Sequence, residues 1–357
     1  MKEQVSRPLE GAGVGLFWVL AGLTLLSQAA AFHWLGEALA DLRWHLGFIA
    51  LVPALPAIFL LPGRRLTFVA MALLGAFNLM PGMRIHLPPP EAEFTVGTPL
   101  SVVSVRWGAA PTDALVELVE TAGPDVVVVS GLPEAEREAL LEHTVAWPYV
   151  QAWPPIMADA TGAPLVLTEP STVVLSKHQL GDFHGQGFGV GACLLEAQLD
   201  IGDLPLTLRV ASFPERGAGE ALGARDALLT ALSGQSWPAR GLLVCDLARS
   251  DASSAFGALL DMTRYHDARR GFGRNPTMPA PLLGFLRVPG RYLLHGAELN
   301  VRDLHTEELA AGRREVVRVT VDDDTPRFVP LFTELRVRGV AAGADEEPGD
   351  EPGTPTP

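Results

Sequence analysis

Three uncharged stretches constrain this chain more than anything else in it. Residues 11–32, 44–63 and 66–83 contain no Asp, Glu, Lys or Arg. Each has about the roughly 20 residues that a helix needs to cross a ~30 Å hydrocarbon core. The first 86 residues therefore read as a membrane module with three transmembrane helices, and the lipid bilayer is the first expected partner. Pro53 and Pro56 fall inside the second stretch, and bilayer helices tolerate the kinks they cause. A cleaved secretory leader would be one shorter apolar run, so the first stretch reads as a span. Small residues at Gly13, Gly15, Gly22 and Ala29–Ala31 would let a partner membrane protein approach closely.

Lysine and arginine set the expected orientation. Lys2 and Arg7 precede the first span, and Arg64 and Arg65 separate the second from the third. The connection over 33–43 carries Glu37 and Asp41 against Arg43. The N-terminus and the Arg64–Arg65 turn are thus expected in the cytoplasm, although Arg84, just past the third span, pulls the other way. The result is a multi-pass cell-membrane protein whose soluble domain is extracytoplasmic.

Residues 87–98 are Pro-rich and read as a stiff linker. Over 99–340 the texture is that of an α/β domain. Strands are expected at 101–105, 125–129, 172–175, 193–199, 206–211, 241–246, 291–294, 316–321 and 328–337. Helices are expected at 113–121 and 221–232. Paired strands among alternating strands and helices fit a two-layer β-sandwich flanked by helices. Residues 341–357 hold five acids among Gly, Pro and Thr and cannot bury apolar surface, so a disordered tail is expected. The net charge of −14 argues against a nucleic-acid surface binder, because phosphate contacts need a Lys/Arg excess. Cys193 and Cys245 are the only cysteines. Both lie in apolar runs and read as buried free thiols.

The order of the pieces resembles the endonuclease/exonuclease/phosphatase family of metal-dependent phosphoesterases. The resemblance is carried by Leu100-Ser-Val-Val-Ser-Val-Arg-Trp107, Gly123-Pro-Asp-Val-Val-Val-Val-Ser-Gly-Leu-Pro133, Val173-Val-Leu-Ser-Lys177, Arg225-Asp-Ala-Leu-Leu, Cys245-Asp-Leu-Ala248 and Pro276-Thr-Met-Pro279. It implies the family's α/β sandwich and a site at one end of it that holds Mg²⁺ and a phosphate.

Carried over position by position, that site has lost its chemistry. The first-strand Asn falls on Arg106, or on Ser104 in a shifted register. The metal-binding Glu falls on Gly131, and the middle-strand His falls on Ser212-Phe213. Asp246 is retained, but the Asn two residues on is Ala248. The late Asp-His falls on Arg291-Tyr292, and the terminal Asp-His on Arg327 and its neighbours, with Arg313-Arg-Glu315 as a second placement. Only Asp246 matches, so no metal ligand set and no cofactor are expected.

Arg106, Arg291 and Arg327 around Asp246 would form a ligand-binding pocket for an anionic small molecule. In the plainer reading, Arg106, Arg291 and Asp246 neutralise one another and plug a dead cleft. The leading expectation is a catalytically inactive, membrane-anchored binding or scaffold module. The alternative is an active Mg²⁺-dependent phosphodiesterase or phosphatase rebuilt from Glu134, Asp251 or His266 with Asp246. A plain interaction protein acting through its spans is the third reading.

Overall fold

The structure of the chain, a computed structural model, describes residues 2–28, 39–87, 98–106, 116–117, 120–121, 123–142, 146–154, 171–201, 204–214, 219–247, 249–271, 290–306 and 331–337. Helices α1 (Lys2–Gln28), α2 (Arg43–Leu60) and α3 (Arg65–Met83) form the N-terminal module. All three are long and apolar enough to cross a membrane. α2 and α3 make an antiparallel hairpin whose backbones touch through glycine. A Cβ on Gly75 would meet the carbonyl of Gly47 and the backbone of Leu51. α1 lies along α3 with Gly13 against the Phe68 ring, and Asn78 donates to Thr24 Oγ1 at 2.9 Å. The small residues that let helices approach are thus Gly13, Gly47 and Gly75. Gly15 and Gly22, expected to let a partner membrane protein approach, have open space beside them. Ala29–Ala31 lie outside the described residues.

The soluble part holds two six-stranded sheets. β1 (Thr98–Arg106), β2 (Val126–Leu132), β3 (Tyr149–Trp153), β4 (Ser171–Ser176), β11 (Leu299–Thr306) and β12 (Leu331–Val337) form one, in the order β11-β12-β1-β2-β4-β3. β5 (Leu180–Gly189), β6 (Ala192–Ile201), β7 (Leu204–Ser212), β8 (Gly241–Asp246), β9 (His266–Asp267) and β10 (Arg291–His295) form the other, in the order β5-β6-β7-β8-β10-β9. Each sheet has one parallel pair, β1–β2 and β7–β8, and is otherwise antiparallel. A parallel pair needs a crossover connection, and α5 (Glu220–Ser233) supplies it between β7 and β8.

Side chains alternate along each strand, and the two faces bury different things. Leu100, Val102, Val126, Val128 and Val174 of the first sheet meet Leu195, Leu208, Val210, Leu242, Val244 and Leu293 of the second. The opposite phase of the first sheet packs Val105, Val127, Val129 and Val173 around Leu140 of α4 (Glu134–Glu142) and Trp147. The opposite phase of the second packs Leu243, Cys245, Tyr292 and Leu294 under α5 and α6 (Ser254–Thr263). The expected α/β sandwich with helices on its faces is therefore present, and both cysteines are free and buried. α6 starts where Ser253 Oγ accepts from the Phe256 amide and stops where Arg264 turns left-handed at φ 55°.

Strands β3, β5, β9 and β11 and helices α4 and α6 go beyond the sequence expectation. β5 is the informative case: Gly181, Gly185, Gly187 and Gly189 make it look like a loop. One of those glycines, Gly185, is needed because Trp153 of β3, at the edge of the other sheet, packs against it. A Cβ on Gly185 would overlap the Trp153 indole. Gly185→Ala is expected to cost about 1–3 kcal/mol by overpacking. A urea unfolding midpoint unchanged in this variant would show that Trp153 does not clamp the two sheets.

The expected strand at 316–321 and the tail at 341–357 lie outside the described residues, as do nearly all of the linker and most of the helix at 113–121.

Candidate functional site

At one end of the sandwich the inward rows of β1, β2, β4, β7, β8 and β10 change from aliphatic to polar. Along β1 the row reads Leu100, Val102, Ser104, Arg106, and along β2 Val126, Val128, Ser130. Along β7 and β8 it ends in Ser212 and Asp246. The antiparallel strands begin at this end, so their first inward residues are the polar ones: Thr172 on β4, Cys193 on β6 and Arg291 on β10. Register places these residues side by side. Arg106 lies opposite Ser130, Ser212 opposite Asp246, and Asp246 opposite Arg291.

The group closes on itself. Arg106 Nη1 donates to Asp246 Oδ1 at 3.1 Å, and Ser130 Oγ donates to Asp246 Oδ2 at 2.5 Å. Arg291 Nη1 donates to the Ser104 carbonyl at 2.8 Å. Thr172 Oγ1 bridges Ser212 Oγ at 3.3 Å and Cys193 Sγ at 3.4 Å. Arg106, Asp246 and Arg291 retain 8%, 4% and 1% of their accessible surface.

Burial dominates the electrostatics. It draws the Arg291 guanidinium down to about 9, with Arg106 adding to the fall and Asp246 opposing it. Burial likewise raises the Cys193 thiol, against its hydrogen bonds to Thr172 and Ser212. That keeps it a neutral thiol and a poor nucleophile.

The residues present do not fit the Mg²⁺ that the resemblance implies. A hard dication takes several oxygen ligands, most of them anionic. Among the described residues one carboxylate is available here, both its oxygens already accept hydrogen bonds, and two guanidinium groups stand beside it. Among the described residues no three His, Cys, Asp or Glu side chains come together as a metal site. Gly131, where the metal-binding Glu would fall, has φ 72° in a bulge of β2 against β4. A Glu there would be strained.

The structure brings Arg106, Asp246 and Arg291 together, and Arg327 lies outside the described residues. Of the residues weighed for a rebuilt site, Asp251 and His266 do not join them. Asp251 pairs with Arg269 Nη1 at 3.5 Å. His266 sits opposite His295 on β10, four residues along the strand from Arg291, or roughly 13 Å. The side chain of Glu134 is not among those described.

Ser130, which holds half of the Asp246 carboxylate, was not singled out in the sequence. Its place in the inward phase of β2 was the available signal. On the outer face of the second sheet a further network was also missed. Asp267 grips Arg269 through both oxygens, with bonds of 2.6 and 3.0 Å. The Arg269 guanidinium lies 4.5 Å from the Tyr292 ring centre.

Compared with models of protein families the sequence matches none, and it matches none of the curated proteins. Solved structures give matches of fold at low identity. An endonuclease/exonuclease/phosphatase from Beutenbergia cavernae DSM 12333 is 15% identical, with 68% of this chain and 72% of that one covered and a TM-score of 0.46. D. rerio TDP2, in complex with a single-strand DNA product, is 13% identical over 67% of this chain and 99% of that one, with a TM-score of 0.48. Sphingomyelinase C from Streptomyces griseocarneus is 16% identical over 66% and 99%, with a TM-score of 0.44.

Proposed function

We propose that this chain is a membrane-anchored, divergent endonuclease/exonuclease/phosphatase-like protein that has given up hydrolysis and serves as a binding or scaffold module. One observation carries the reading: both oxygens of Asp246, the one matched catalytic position, are taken by Arg106 and Ser130. A guanidinium held where a divalent cation would be needed repels that cation. Among the described residues no imidazole adjoins Asp246 to act as a base. The arginines do supply donors for an anion, but an anion reaching Arg106 has to displace Asp246 from it. In the same reading the three helices span a cell membrane, the N-terminus is cytoplasmic and the sandwich lies outside the cytoplasm.

The full chain, purified in detergent, is expected to turn over no phosphomonoester, phosphodiester, DNA or phospholipid substrate above blank, with or without Mg²⁺ or Mn²⁺. Chelator-sensitive turnover that disappears in Asp246→Ala would overturn the proposal. A reporter fused after Pro357 that is active only in the cytoplasm is expected to stay silent.

A further inference from the structure

The soluble domain does not hang free of the helices. The Ser250 amide donates to Asp41 Oδ1 at 2.6 Å, just before α2, and the Gly271 amide donates to the Ile85 carbonyl at 2.8 Å, just after α3. Between these two ties lies a cavity of about 540 Å³, within the range of small-molecule sites. It is remote in chemistry and in place from the Asp246 cluster. Its wall on the domain side is α6, β9 and the turn after it, beneath the outer face of the second sheet.

The two sides of the cavity differ in character. The helix side is Phe77, Met80 and Pro81 of α3, with Ile85 and Leu87 beyond it. Phe77, Met80 and Leu87 are exposed to the surroundings as well, so this wall runs on into the surface that faces lipid. The domain side carries charge: Arg269, Arg270, Asp251 and Asp267, with Arg43 joining from the first residue of α2. Three guanidinium groups against two carboxylates leave one positive charge in excess. His266, also on this wall, is held below its usual value by burial first and by Arg270 second, so it adds none at neutral pH.

The donors are not all spent. Arg269 is committed to Asp267 and Asp251. The buried Nε of Arg43 finds no hydrogen-bond acceptor among the described residues, while its guanidinium lies 5.1 Å from the Phe77 ring centre. Arg270 has no carboxylate partner among the described residues.

Depth in the membrane follows from helix length. α2 has 18 residues and is therefore about 27 Å long, close to the hydrocarbon thickness. Arg43 at its start and Met83 at the end of antiparallel α3 then lie at one interface, where phosphates of lipid headgroups sit. An apolar wall open to lipid, a cationic wall open to the headgroup layer and a single excess positive charge together match one class of ligand.

We infer that this cavity binds a glycerophospholipid with a net-negative headgroup, its phosphodiester between Arg43 and Arg270 and its acyl chains along Phe77, Met80 and Leu87. The inference rests on the membrane anchoring proposed above, but not on the loss of hydrolysis.

The test uses the full chain in vesicles, where resistance to an alkaline wash reports on anchoring separately. The chain is then extracted in mild detergent from phosphatidylcholine vesicles with and without phosphatidylglycerol, and retained lipid is counted by native mass spectrometry. Retention of phosphatidylglycerol at least tenfold above phosphatidylcholine is expected. Arg43→Gln with Arg270→Gln should abolish that preference.

Gly257→Phe is the second variant, because it fills the cavity without touching a charge. Gly257 lines the cavity from α6, and a Cβ there meets nothing within 4 Å. It should reduce retention to the same extent. Equal retention of the two lipids, or a preference untouched by both variants, would overturn the inference. So would displacement of the lipid by millimolar inorganic phosphate, which would make this a free-phosphate site.

Discussion

Replacing Asp246 with alanine is expected to cost the folded chain about 3–5 kcal/mol, the usual penalty for removing one partner of a buried ion pair. It should do so without removing any enzymatic activity. The loss goes beyond the 3.1 Å bond to Arg106. Arg106 and Arg291 are both buried at the end of the sandwich, and Asp246 is the one acid in contact with the cluster among the described residues. Without it two guanidinium groups face each other across a sealed space. Arg291 already yields part of its affinity for a proton to burial and to Arg106, and Asp246 is the group that opposes that fall. Urea unfolding of the full chain in detergent, with the midpoint compared between wild type and variant, measures the cost.

Arg106→Met and Arg291→Met combined with Asp246→Leu should restore most of the stability, since apolar groups of similar volume often replace buried ions without loss. High phosphate should partly rescue Asp246→Ala by entering the vacated position, which is how an anion-binding remnant would reveal itself. A wild-type midpoint in Asp246→Ala would mean that the cluster is solvated, and the proposal of a plugged cleft would fail with it.

The arginine cluster was legible through the family resemblance, which aligns Arg106, Asp246 and Arg291 with site positions at one end of the sandwich, and strand register sets them side by side. Ser130 lay in the inward phase of β2. It was passed over because the resemblance drew attention to the neighbouring Gly131, which has the opposite phase and sits in a bulge. β5 stayed hidden because Gly185 makes room for Trp153, a residue 32 positions away in the chain, and no local propensity records such a contact.

The Asp267–Arg269 network was hidden for a related reason. Asp251 reads as a candidate for a rebuilt site and Asp41 as a loop acid between the first two apolar stretches, and nothing local pairs either with Asp267 or Arg269. Only the docking of 249–271 onto the ends of α2 and α3 buries them together. A wall made from two modules has no signature within either one.

Acid should weaken this protein through His295, and by more than its other neutral groups suggest. The imidazole is buried at the end of β10, with its Nδ1 3.0 Å from the Gly296 carbonyl and its ring 5.6 Å from that of His266. Burial lowers its pKa to about 4. The Gly296 and Leu299 backbone and the Asp267 carboxylate pull the other way, and His266 adds to the fall. Below pH 6.5 the unfolded chain therefore takes up a proton that the folded chain refuses, and stability must drop as pH falls. Its contribution is whole above about pH 6.5 and is lost by about pH 4. The loss is about 2 kcal/mol between pH 7 and pH 5 and about 3 kcal/mol by pH 4. His266 is also depressed and works in the same direction. Unfolding midpoints of the full chain at pH 7 and pH 5 should diverge accordingly, and His295→Leu should flatten most of the difference. If wild type and His295→Leu lose stability in parallel, the acid sensitivity does not come from His295.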